Sequence, residues 1–321
     1  MSNDLIITPQ SQIEVSEDSI SRFISFYLNH LDIRKVSKIK YTNYLNQFLT
    51  WLKSRNIVYP TREHIIEFKQ YLIEKQLKET TVSSYLKAIK RLFEYLSKTN
   101  KYENIAFGIK QPLVNAGFKK LALSVEEAKL LLFSIDRSDI IGKRDYAIVN
   151  LILHTGLRLI EVCRSLVEDV KNEGENTLLY VQGKGHDAKD AFVVLTPSVL
   201  FAINEYLKCR EYDDKSPLFA SHSLKSKKET PLSTVILSNI LHARLKEAGF
   251  DNPKITPHSL RHTAITLALL SGSTVQEAKE MARHTDINTT LIYAHNINRL
   301  SDTSPEKRIE ELINGRETPE N

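Results

Sequence analysis

Residues Thr256 to Tyr293, TPHSLRHTAITLALLSGSTVQEAKEMARHTDINTTLIY, decide how the chain is read. Within them His258, Arg261, His284 and Tyr293 follow one another at separations of 3, 23 and 9 residues. Thr256 caps a helix that opens at Pro257, a position where proline's missing N–H is no loss. His258 and Arg261, three residues apart, are expected on one face of that helix. Leu260, Leu267 and Leu270 fall away from that face, toward a core. Gly272 ends the helix, and Thr274 with Glu277 has the spacing of a capping box for the next one. Asp286 or Asn288 then starts a last short helix carrying Tyr293. Two helix breaks fold the segment back, so the four polar side chains are expected to meet.

Taken singly, each of these residues has a plain reading. A lone tyrosine on a short helix is a packing residue, and a lone histidine more often hydrogen-bonds a helix end than catalyses. His258 and His262 sit at i, i+4, as zinc-binding histidines do, but the acidic partner of an HExxH helix is missing and no metal is expected. The combination is what argues for chemistry. It requires a second arginine and a proton donor, and the upstream sequence supplies both.

The chain's 321 residues suffice for two domains with cores of their own. A net charge of +5 permits a nucleic-acid partner without requiring one. Cys163 and Cys209 form no CxxC or Cys/His cluster, which points away from disulfides and structural zinc. The first residues, MSNDLIITPQ, lack a basic segment followed by an apolar run, and no apolar stretch approaches the length of a membrane span. The expectation is a soluble, cytoplasmic protein with no membrane partner.

Residues 1–15 are polar and aperiodic and read as a disordered leader. From Ser16 to Leu31 the positions Ile20, Phe23, Ile24, Tyr27, Leu28 and Leu31 follow the spacing of an amphipathic helix. Ser37–Lys53, Thr61–Glu74 and Thr80–Ser97 repeat that pattern, so residues 16–103 are predicted to form a small helical domain. Residues 31–101 hold 15 Lys plus Arg against 6 Asp plus Glu, a local balance of +9 that leaves the remainder at −4. A charge run is usually a solvated face, but this excess with interleaved tyrosines favours a surface for the DNA backbone. Residues 104–122, with two glycines and a proline, read as a linker. Ser124 and Glu127 then form a capping box that opens a second domain over 123–300. Lys143–Val162 reads as a buried helix, a break at Gly156, and a new helix near Arg158, whose side chain can leave the helix end for a cleft. Leu166–Leu195 is the strand-rich part, with alternating Leu178, Tyr180 and Gln182, then Phe192–Leu195. Between these strands Gly183-Lys184-Gly185 holds one lysine at a hairpin tip. The rest is read as helical, including a tail, 301–321, with Ile309, Leu312 and Ile313 on one side. A tyrosine, two forked cations, histidines and a lysine suit one reaction, attack of the tyrosine on a phosphodiester.

These residues carry a family resemblance. RDYAIVNLILHTGLRLIEVCRSLVEDV, the GKG hairpin, HSLRHT and ARHTDINTTLIYAH together resemble the tyrosine recombinase (phage-type integrase) family, of the Xer-like or transposon kind. YTNYLNQFLTWL and TTVSSYLKAIKRLFEYL look like its N-terminal core-binding domain. The resemblance runs from about residue 16 to 300, with four signatures in the family's order. Two positions depart from it: Arg283 stands where glycine is usual, and Asn104-Ile105 replaces Asn-Pro. The fold implied is mainly α, a helical core-binding domain followed by an α-rich catalytic domain with a small antiparallel sheet, the DNA breaking-rejoining fold.

By the resemblance Arg158 and Arg261 are the paired arginines, Lys184 the hairpin lysine, His258 and His284 the two histidines, and Tyr293 the nucleophile. Physical chemistry fits these roles. Two permanently charged guanidiniums clamp the non-bridging oxygens of a phosphate as charge builds on them. A phenol with a pKa near 10 needs a base or a positive field, and His258 is expected as the base, with His284 donating to the phosphate. Lys184 is the expected acid for the leaving 5′-hydroxyl. Glu161, three residues after Arg158, is expected to hold an arginine or histidine of the site. A 3′-phosphotyrosyl link keeps the phosphodiester's energy, so neither metal, ATP nor another cofactor is expected. The implied partners are double-stranded DNA with inverted-repeat sites and three further copies of the chain, a tetramer on DNA from a largely monomeric free protein. The alternatives are a type IB-like topoisomerase and a non-catalytic DNA-binding relative.

Overall fold

The structure is a computed structural model that describes residues 19–31, 33, 35–113, 121–183, 188–222 and 230–300, together with 309, 310, 312 and 313. The expected leader, residues 1–15, lies outside the described residues. The chain divides into two units, Met1–Gly117 and Phe118–Asn321.

In the first unit the apolar spacing of the sequence becomes four helices: α1 (Ser19–His30), α2 (Lys35–Ser54), α3 (Arg62–Glu74) and α4 (Glu79–Lys98). The α4 sequence places Val82, Tyr85, Leu86, Ile89, Leu92, Phe93 and Leu96 on one buried stripe, as the i, i+3, i+4 rule requires. They meet Leu45, Phe48, Trp51 and Leu52 of α2 and Ile65, Phe68 and Leu72 of α3. Phe68 is the aromatic hub, with ring centroids 5.0 Å from Phe48 and 5.3 Å from Trp51. Several basic residues of this unit lie over rings: Arg55 on Trp51 at 4.4 Å, Lys75 on Tyr71 at 5.1 Å and Arg91 on Tyr41 at 5.7 Å. The expected linker packs at its ends, since Ala106 and Ile109 enter the first core and the Leu121 N–H donates to the Lys254 carbonyl in the second unit (3.2 Å).

The second unit is built on α6 (Ile140–Thr155), which packs against α8 (Pro197–Leu207) and α10 (Pro257–Leu270). Ala147, Ile148, Val149, Leu151 and Ile152 are all buried, so α6 is apolar nearly all round and lies at the centre of this core. Around it come α5 (Val125–Ser134), opened by the Ser124–Glu127 capping box, α7 (Leu159–Arg164), α9 (Thr234–Glu247), α11 (Val275–Ala282) and α12 (Asn288–Leu300). Strands β1 (Val170–Glu173), β2 (Asn176–Val181) and β3 (Ala191–Leu195) form an antiparallel sheet in the order β1-β2-β3. The register pairs Val170 with Leu179 and Val181 with Ala191, which leaves residues 182–190 as the β2–β3 connection.

The structure corrects three expectations. The strand forms where Leu178, Tyr180 and Gln182 alternate, but burial along β2 is not a simple alternation: Leu178, Leu179 and Val181 are buried, while Tyr180 and Gln182 are half-buried. The segment after Ser198 is not wholly helical, because β4 (Ala220–Ser221) pairs with β5 (Thr230–Pro231). Leu260 is buried as expected, whereas Leu267 is half-buried and Leu270 is 56% exposed.

Candidate active site

Three chain breaks create the site, and each is local chemistry. Helix α6 stops at Gly156, whose φ of 61° suits a residue without Cβ. Two residues later Arg158 is the N-cap of α7, in extended conformation, and its side chain leaves the helix direction. Helix α10 starts at Pro257 with Thr256 as N-cap, and the Thr256 N–H donates to the Ser259 hydroxyl at 3.0 Å. Helix α11 opens with the expected box, Glu277 N–H donating to the Thr274 hydroxyl and Thr274 N–H to the Glu277 carboxylate. It closes at Arg283, in the left-handed region with φ 54°. That conformation suits a residue without Cβ, so the backbone here favours glycine over the arginine that occupies it. The Asp286 carboxylate then accepts from the Asn288 N–H at 2.9 Å, and α12 carries Thr290 and Tyr293 inward.

Glu161 organises the arginines. It is fully buried and accepts from the Arg158 N–H (2.8 Å), the Arg158 guanidinium (2.8 Å) and the Arg283 guanidinium (2.9 Å). Arg158 also donates to the Arg283 carbonyl at 3.0 Å, and Arg283 to the Met281 carbonyl at 2.7 Å. Burial opposes the charge of Glu161, yet Arg283 and Arg158 outweigh it and hold the carboxyl below its ordinary pKa. Arg261, 3% exposed, donates to the carbonyls of Gly156 and Ala282. Its guanidinium thus satisfies the unpaired C-terminal carbonyls of α6 and α11, where a cation is favoured. Burial, helped by Arg158 and Arg283, lowers its pKa to about 9, so it stays charged at neutral pH.

Tyr293 is 4% exposed and packs in a small cluster with Ile265 and Ala282. Burial pushes its hydroxyl up to about 12, opposed by the charge of Arg261, so the phenol is protonated at neutral pH. The hydroxyl is hydrogen-bonded to Nδ1 of His262, whose ring centroid is 5.2 Å from that of Tyr293. The His258 ring stands edge-on to His262 at 4.6 Å and is exposed. His258 and Arg261 are therefore on one helix without sharing one environment: the arginine turns into the core and the histidine stays at the surface. His284 is held through Nδ1 by the buried Thr290 hydroxyl (2.9 Å). Burial, then Arg261, Arg158 and Arg283, lowers its pKa to about 4, so it is neutral at pH 7. In the tautomer whose Nδ1 accepts from Thr290, Nε2 carries the hydrogen and can donate.

The structure thus brings together Arg158, Glu161, Arg261, His284 and Tyr293, while Lys184 lies outside the described residues. On the return of the same connection Lys189 is tied to the carboxylate of Asp169 at 2.5 Å. Sequence reasoning missed the contact of His262 with Tyr293 and the bridging of Glu161 by Arg283. The signal for the first was present, since His262 lies one turn beyond His258. The second had only the unusual residue at the helix end to announce it.

A four-helix unit and an α-rich unit with a three-stranded sheet, carrying a buried tyrosine beside paired arginines, define a DNA strand-breaking and rejoining architecture. Residues 121–299 match the phage integrase family, and residues 20–101 match its N-terminal SAM-like domain. The chain belongs to this family, the tyrosine recombinases. It is 31% identical over 224 residues to tyrosine recombinase XerC of Caldanaerobacter subterraneus, a match covering 68% of this chain and 58% of that protein. It is 29% identical over 276 residues to tyrosine recombinase XerA of Pyrococcus furiosus, covering 85% and 89%. Among solved structures, the Tn1549 transposon integrase in complex with transposon right end DNA has the same fold. Its TM-score is 0.73 at 16% identity, over 92% of this chain and 99% of that one. The XerH recombinase bound to palindromic difH substrate gives 0.69 at 22% identity, over 94% and 85%.

Proposed function

We propose that the chain is a site-specific DNA recombinase that cuts and rejoins strands through a 3′-phosphotyrosyl link at Tyr293, without metal or ATP. The carrying observation is the placement of a buried, protonated Tyr293 hydroxyl in the field of Arg261, next to Arg158. As the phenol oxygen attacks phosphorus, the bond from phosphorus to the 5′-oxygen breaks and charge accumulates on the two non-bridging oxygens. Arg158 and Arg261 are rigid donors to those oxygens because Glu161 and the helix-end carbonyls have already fixed them. Neutral His284 donates through Nε2, and Lys184 protonates the departing 5′-oxygen. The energy of the phosphodiester stays in the phosphotyrosine, and the reverse attack rejoins the strand.

The basic first unit contacts DNA phosphates, and the recombination sites are inverted repeats, as the palindromic substrate of the XerH relative suggests. Four copies assemble on two such sites, each tail reaching a neighbour. Ile309, Leu312 and Ile313 are 54%, 84% and 76% exposed, so they are available for that contact. The role follows one of two patterns, insertion and excision of a mobile element or resolution of DNA multimers.

The test is Tyr293→Phe on a nicked suicide substrate, with denaturing electrophoresis as the readout. DNA binding should remain and the covalent band should vanish, and the wild-type band should survive EDTA. A covalent band in the mutant refutes the nucleophile.

A further inference from the structure

We propose that His262 is a catalytic residue of this site, the group that receives the proton of the Tyr293 hydroxyl as it attacks. The inference rests on the reading of Tyr293 as nucleophile and goes beyond the residues to which that reading gives roles. The observation is the hydrogen bond between the Tyr293 hydroxyl and His262 Nδ1. At neutral pH the phenol carries its proton. The role requires the arrangement of this bond in which the hydroxyl donates, Nδ1 accepts, and the ring is the neutral tautomer with hydrogen on Nε2.

Tyr293 comes in on α12 and His262 on α10, two helices that pack directly on each other. Arg261, the residue before His262, is pinned by the carbonyls of Gly156 and Ala282. That anchoring sets the rotation of α10 and with it the direction of the next side chain. His262 is half-buried, whereas His258, the histidine expected as the base, is exposed and in a T-shaped contact with the His262 ring. A base must lie within hydrogen-bond reach of the proton it takes, and geometry ranks before acidity in choosing it. On that criterion His262 holds the position.

The step balances. The phenol O–H bond breaks and its proton passes to Nδ1, giving an imidazolium. The phenol oxygen bonds to phosphorus, and the bond from phosphorus to the 5′-oxygen breaks with protonation from the separate acid. On rejoining, the imidazolium returns the proton to the departing phenol oxygen, so one histidine serves both directions.

The experiment compares His262→Ala and His262→Asn with the unaltered protein and with Tyr293→Phe, on the same suicide substrate in single turnover. Asparagine sets its side-chain oxygen near the place of Nδ1, so it keeps an acceptor but cannot take a proton. Both His262 variants should bind DNA normally and form the covalent complex more slowly by about 10²–10⁴-fold, the usual range for a positioned acid or base. Site-specific replacement of Tyr293 by a ring-fluorinated tyrosine, which ionises more readily, should narrow the gap between His262→Ala and the unaltered residue. The inference is overturned if His262→Ala reacts at full rate, if His262→Asn restores the rate, or if fluorination leaves the gap unchanged. The Tyr293→Phe lane separates the two readings: a covalent band there sinks the nucleophile assignment itself, whatever the His262 variants do.

Discussion

Replacing Glu161 by glutamine removes one negative charge and almost no volume. In the native site that carboxylate is fully buried between two guanidiniums, with contacts of 2.8 Å to Arg158 and 2.9 Å to Arg283. Glutamine keeps an oxygen for one donor but turns an NH2 toward the other, so donor faces donor. Two half-buried cations are then left with the buried Arg261 nearby and no counter-charge. Breaking a buried pair in this way costs about 3–5 kcal/mol. A unit the size of Phe118–Asn321 shifts by about 2–4 °C per kcal/mol, so its melting point should fall by about 6–20 °C. Acid should narrow the difference. The carboxyl of Glu161 is held below its ordinary range, so its contribution is fully present above the unfolded value of about 4.3 and is lost as pH falls through the lower folded one. Glutamine has no such proton, and the two proteins should converge on acidification. Calorimetry from neutral pH down to the carboxylate range is the assay, with single-turnover cleavage beside it, since Arg158 loses its orientation. A neutral-pH loss under 1 kcal/mol, or a gap that widens in acid, would refute the view of Glu161 as the counter-ion that arranges the arginines.

Gly142→Ala sets helix propensity against sterics: alanine gains about 1 kcal/mol in a helix, but its Cβ would lie 1.8 Å from the Asp136 carbonyl oxygen. The clash should win, with a net loss of about 1–3 kcal/mol in chemical denaturation. Arg283→Gly and Arg283→Ala both remove a guanidinium from Glu161, but only glycine relieves the left-handed backbone at φ 54°. The glycine variant should be the more stable of the two by about 1 kcal/mol, and equal stabilities would exclude backbone strain at that position. Truncation after His295 should leave covalent-complex formation on a single site intact while abolishing synapsis and strand exchange. Parallel loss of both activities would mean that the tail serves its own catalytic unit.

Much of this protein is legible in its sequence because much of its order is local. The apolar stripes of α2 and α4, the capping boxes at Ser124 and Thr274, the Gly156 break and the proline start of α10 each depend on residues within a turn or two of one another. Nearest-neighbour chemistry determines them, and the elements formed where the spacing placed them. The spacing of His258, Arg261, His284 and Tyr293 likewise signalled a site before any coordinate was known. What the sequence could not set is which atom meets which across helices joined by tens of residues. That Arg261 turns into the core while His258 stays outside depends on the ends of α6 and α11 offering carbonyls to a buried cation. That Glu161 is shared by Arg158 and Arg283, residues 125 apart in the chain, depends on the docking of α7 against the α11 terminus. And whether Tyr293 meets His258 or His262, one turn apart on the same face of α10, turns on an axial offset of about 6 Å between α10 and α12. Such an offset leaves every local pattern unchanged, so tertiary packing alone decided it.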